Sequence, residues 1–286
     1  MSDLYGRGYS ATPNPELHPQ NAELFTSQIL SVLASSPLAW TGTNAFDLVG
    51  YSLGGGIGVA FTSYFPTLVK SLVVIAPSGL LRDSQIHWTS RMMYGDYLPK
   101  SLVTWLVRRR LQGGTFSSPS KVNKSANPEA TPGNAVAAEV PGESRPAHAL
   151  DSQAPLFPNR PSVSVADAVS WQVKHHEGFI PAFVSSIKYA PIREEHVRWR
   201  KIGERLERQR LDPKSAERTT EGLHRGKVLM ILGNSDNVIV ADQTSEDATS
   251  VLGEGLEIKN LIGGHDLPIV DAEAVTGTIL EFWNSE

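Results

Sequence analysis

Cysteine is absent from all 286 residues. Its absence excludes a disulfide framework, thiolate catalysis and thiolate zinc sites together. Also missing is any apolar run near the ~18–20 residues a membrane-spanning helix needs. The first residues show no basic segment followed by an apolar stretch, so no signal peptide is read there. A cytoplasmic location is the default expectation, with no membrane partner. A strong excess of one charge is lacking too. The formal net charge of −4 gives no reason to expect nucleic acid as a partner. No internal repeat is found.

What is present suits a globular protein with a core. The hydrophobic fraction is 40%, and the length allows one large or two small domains. Residues 21–35 place Leu24, Phe25, Ile29, Val32 and Leu33 at helical spacing. The run 45–49 reads as a strand, 53–65 as a helix closed by Pro66, and 72–76 as a buried strand. The pattern returns at the other end, with strands at 228–232 and 256–261 and helices at 243–252 and 271–283. Near-continuous apolar strands alternating with helices predict an α/β fold with a mostly parallel sheet.

The middle differs. Residues 88–111 and 171–210 carry helical patterns without strands. Between them, 112–165 is crowded with Pro, Ser, Asn, Ala and Gly and has few large apolar residues, the composition of a flexible insertion. Three segments follow: a first core part over 1–76, a helical cap over 77–224 containing that insertion, and a second core part over 225–286.

The strongest chemistry lies in Gly50-Tyr51-Ser52-Leu53-Gly54, a G-x-S-x-G motif with a strand before and a helix after. A serine at the tip of a sharp strand-to-helix turn takes strained angles, so its neighbours two residues either side are expected to lack bulk. The helix behind it supplies N–H groups and a dipole near the serine oxygen, and the Leu53 N–H is placed to meet an oxyanion. Serine needs a base to accept its proton, and histidine, oriented by a carboxylate, is suited to that role.

This segment resembles the nucleophile elbow of the α/β-hydrolase superfamily, over 3–75 and 227–283 well and over the middle loosely. The resemblance implies a triad in the order serine, acid, histidine. It matches Asp236, in the turn after the 228–232 strand, to the acid, and His265, in the Gly-flanked loop Leu261-Ile262-Gly263-Gly264-His265, to the base. Asp83, after the 72–76 strand, is the rival acid, because some relatives carry it there. Asp3-Leu4-Tyr5-Gly6-Arg7-Gly8-Tyr9-Ser10 matches the family's D-x-x-G-x-G-x-S loop, which follows the fourth strand in relatives. The resemblance therefore implies that the strands ahead of that loop, and the first oxyanion-hole donor, are not in this chain. The 45–49 strand would then form an unpaired apolar edge through which copies self-associate.

Gly178 to Ile192 resembles a cap segment broken by Pro181 and Pro191. Trp171, Phe179, Phe183 and Tyr51 are candidates for an apolar substrate pocket, with core packing the other reading of the aromatics. His175-His176-Glu177 has poor spacing for a shared metal. Residues 193–210 read as a charge-laced helix with a solvated face and sparse anchors at Val197, Ile202 and Leu206.

Neither a metal nor an organic cofactor is expected. The function expected is a serine hydrolase acting through an acyl-enzyme on an ester, amide or activated C–C bond of a small apolar molecule. A non-catalytic scaffold or binding protein of the same fold, and an acyltransferase using the same triad, are the alternatives.

Overall fold

The computed structural model describes residues 3–82, 88–95, 97–111, 154–157, 159–214 and 222–285. Four strands form one parallel sheet among them: β1 (Phe46–Tyr51), β2 (Val69–Ile75), β3 (Val228–Gly233) and β4 (Leu256–Leu261). They lie in the order β1-β2-β3-β4. Helix α1 spans Ala22–Ala34 and α2 spans Leu53–Tyr64. Helices α3 (Trp88–Tyr94) and α4 (Lys100–Leu111) precede α5 (Val165–His175), α6 (Phe179–Tyr189) and α7 (His196–Leu211). Then follow α8 (Ala241–Leu252), α9 (Leu267–Val270) and α10 (Ala272–Asn284). Among the described residues, no helix is long and apolar enough to cross a membrane.

Strand alternation builds two cores. Leu72 and Val74 of β2, with Val228 and Met230 of β3, face one layer with α2, α7 and α8. Val73 and Ile75, with Leu229 and Ile231, face the other, under Leu267 of α9 and Val275, Ile279 and Phe282 of α10. Both faces of the central strands are covered, which is why they read as continuous apolar runs.

A third cluster joins Tyr94, Val103, Val107 and Leu111 to Val173, Phe179, Ile180 and Phe183, packing α3 to α6 on one another. Pro181 does not break α6. It sits in the first turn, where a missing N–H removes no intrahelical bond, and only Pro191 lies past the end.

Helix α7 has the expected solvated charged face and the expected anchors at Ile202 and Leu206, but not the one at Val197, whose place Trp199 takes. Trp199, Ile202 and Leu206 are buried in the core against α2 and α8, while Val197 is 61% exposed.

Of the expected flexible insertion, residues 112–153 and 158 lie outside the described residues. Residues Pro155 and Ser164 form a bridge, and Ser164 caps α5 through a reciprocal pair with Asp167.

The sheet begins at β1, which has a partner on one side only among the described residues. Its burial alternates, leaving Val49 43% exposed. The edge expected from the sequence is present in the described sheet.

Candidate active site

Strand β1 ends at Tyr51 and α2 begins at Leu53, so Ser52 occupies the corner alone. Its backbone takes φ 52° and ψ −120°, in the left-handed half of the map that a non-glycine residue adopts only under constraint. Three backbone bonds impose it. Ser52 N donates to Ile75 O at 2.9 Å, Ser78 N donates to Ser52 O at 3.0 Å, and Gly55 N donates to Ser52 O at 2.9 Å.

The two motif glycines are not equivalent. A Cβ on Gly50 would lie 2.4 Å from Gly54 O, so side-chain bulk is excluded there. A Cβ on Gly54 would meet nothing within 4 Å. The expectation of small neighbours on both sides holds at the first position alone. Leu53 opens α2, so its N–H has no helical acceptor one turn back and is free to point outward.

The acid and histidine loops arrive together. Asp236 lies in the turn after β3 and His265 in the loop after β4. Asn234 N donates to Leu261 O, and Ser235 donates to Gly263 O from both its N–H and its hydroxyl, at 3.0 and 2.8 Å. A Cβ on Gly233 would come within 2.6 Å of Gly263 O and Gly264 O, so only glycine lets the two loops touch.

Asp236 is buried with no exposed side-chain surface, and its carboxylate is fully engaged. Oδ1 accepts from Val238 N at 2.7 Å and Ile239 N at 2.8 Å; Oδ2 accepts from His265 Nδ1 at 2.9 Å. Three hydrogen bonds offset the cost of burying that charge. With Nδ1 donating, His265 Nε2 holds its lone pair toward Ser52 Oγ, 2.9 Å away. The structure therefore joins Ser52, His265 and Asp236 in one hydrogen-bonded row. Asp83 falls outside the described residues.

Phe179 and Phe183 are buried in the third cluster, with the Arg7 guanidinium over their rings at 5.3 and 6.0 Å. Burial pushes the Arg7 pKa down to about 10. Trp171 packs on Tyr9 and His175 and lines a cleft of about 590 Å³ with Ser10, Thr12 and Glu177. None of the three triad candidates lines that cleft. His176 Nε2 donates to Ser10 O at 2.9 Å.

The Asp3–Ser10 loop closes on itself. Tyr9 N donates to Asp3 Oδ2 at 2.9 Å, and the Ser10 hydroxyl donates to Asp3 O at 2.6 Å. Gln28 of α1 bridges Asp3 O and Tyr5 N.

Tyr51 is the residue whose placement the sequence hid. Its hydroxyl donates to the backbone carbonyl of His265 at 2.8 Å, and its ring lies 5.3 Å from the imidazole. Burial first, then the charges of Asp236 and Asp266, raise its pKa above the ordinary tyrosine value. The spacing of G-x-S-x-G carries no signal for that contact, which depends on where the histidine loop lands.

Comparison with known proteins agrees with this fold. Among solved structures, a hydrolase from Pseudomonas aeruginosa PA01 is 14% identical, covering 99% of this chain and 78% of its own, with a TM-score of 0.55. The 2-hydroxy-6-oxo-6-phenylhexa-2,4-dienoate hydrolase of Rhodococcus sp. strain RHA1 gives the same four values. An esterase from Exiguobacterium antarcticum is 13% identical, covering 99% and 80%, with a TM-score of 0.55. At these identities the likeness is one of fold. A family model described as the alpha/beta hydrolase fold matches residues 2–272, nearly the whole chain. The chain belongs to the alpha/beta hydrolase fold family.

Proposed function

We propose that this protein is a serine hydrolase that cleaves an ester, amide or activated C–C bond of a small, fairly apolar molecule through an acyl-enzyme on Ser52. The observation that carries the reading is the row from Ser52 Oγ to His265 Nε2 and from His265 Nδ1 to Asp236 Oδ2, each 2.9 Å. In this mechanism Ser52 Oγ attacks the substrate carbonyl while its proton passes to His265 Nε2. The resulting imidazolium is stabilised by Asp236, and the oxyanion is met by the Leu53 N–H. His265 then gives that proton to the leaving group, whose bond to the acyl carbon breaks. Water repeats the sequence on the acyl-enzyme and frees Ser52.

A fluorophosphonate probe tests the reading directly. The parent protein is expected to be labelled on Ser52, and Ser52→Ala and His265→Ala to lose turnover with little change in melting temperature. A folded parent that resists the probe, or near-normal turnover in His265→Ala, would refute it.

A further inference from the structure

The sheet order sets a problem of reach. Ser52 follows β1 and His265 follows β4, three strand positions away. At about 4.8 Å per strand that is roughly 14 Å across the sheet. The loop after β4 must lean back over the ends of β3 and β2 to deliver its imidazole. A base carried that far has to be held on both sides, since a misplacement of about 1 Å costs on the order of 10²-fold in rate.

The β3 side holds the loop through Asn234 and Ser235, as described. On the β1 side the tie is Tyr51. Its hydroxyl donates to His265 O at 2.8 Å, and its ring lies beside the imidazole at an interplanar angle of 39°. The ring is itself anchored, because Tyr51 packs against the core clusters on the sheet and pairs with Ile75 in register.

We infer that Tyr51 is a positioning residue for His265, fixing the imidazole against Ser52, and so governs proton transfer rather than substrate affinity. This rests on the serine-hydrolase reading and extends it. A tyrosine suits the task because the arm is long and rigid and ends in a donor. Burial, and then the nearby carboxylates of Asp236 and Asp266, raise the Tyr51 pKa and so favour the protonated, donating hydroxyl.

The test uses the full chain with a p-nitrophenyl ester, comparing the parent with Tyr51→Phe. Loss of one hydrogen bond is expected to lower kcat about 3- to 10-fold. KM should stay within about twofold of the parent, because substrate affinity does not change when only proton transfer is affected. The pH profile of kcat/KM should differ from the parent's, because a loosened imidazole loses part of its hydrogen bond to Asp236. Replacing Tyr51 with p-aminophenylalanine, which donates from the same position, should restore most of kcat. If Tyr51→Phe melts far below the parent, p-aminophenylalanine is compared instead with p-cyanophenylalanine, which cannot donate. Parent-like kcat and pH profile in the non-donating variant, or a raised KM with kcat unchanged, would overturn the inference. Ser52→Ala is run alongside: turnover surviving there removes the hydrolase reading itself, whatever Tyr51 does.

Discussion

Ser52 is held in a backbone conformation that costs on the order of 1–3 kcal/mol for a residue with a side chain. Glycine tolerates those angles, so Ser52→Gly should remove activity while raising stability by about 1 kcal/mol, after the added freedom of the unfolded chain is counted. Differential scanning calorimetry checks it, and a lower melting temperature would mean the corner is relaxed. Tyr51 adds a pH effect of definite sign. Its folded pKa is raised, so above pH 10, the ordinary value, the unfolded chain releases a proton that the folded chain keeps. Stability should therefore be unaffected by this group below that pH and fall as pH rises past it. Tyr51→Phe should flatten the fall, measured by urea unfolding at pH 9 and pH 11.

Helix α7 carries its core contribution on few residues. Trp199, Ile202 and Leu206 are spaced three and four apart and share one buried face, whereas Val197 lies off that face in solvent. Trp199→Ala should cost about 3–5 kcal/mol, and Val197→Ala less than about 0.5 kcal/mol, in denaturant unfolding. The same helix shows what could be read in advance. The apolar runs of β2 and β3 were legible because burial on both faces demands continuous hydrophobicity. Ser52 was marked by its G-x-S-x-G motif between a strand and a helix, and Asp236 and His265 by the chain order that the family resemblance implies. On helix α7 the anchors Ile202 and Leu206 were legible, but Trp199 was hidden among charges that dominate the composition, and Val197 was misplaced. The roles of Phe179, Phe183 and Tyr51 were not legible. Their surroundings come from Arg7 and His265, residues remote in the chain, and spacing along one element carries no record of them.

At the scale of the molecule, β1, next to the nucleophile, has a sheet neighbour on one side only among the described residues. Asp47 is exposed on that strand, a charge of the kind that discourages edge pairing, but Val49 remains 43% exposed. We expect concentration-dependent association through this edge, detectable by light scattering after size exclusion. Val49→Lys should shift the protein toward monomer, and a parent that stays monomeric over a wide concentration range would contradict it.

The hydrogen-bonded row also has a history written in its spacing along the chain. Asp236 and His265 are 29 residues apart and sit at the ends of two neighbouring strands joined by α8, while Ser52 is 213 residues from His265. Closing the short loop costs less conformational entropy than closing the long one. During refolding, the acid–base half of the site is expected to assemble within its own β3–α8–β4 unit, and the nucleophile to arrive last. Recovery of turnover should then lag behind protection of the β3 and β4 amides from hydrogen exchange.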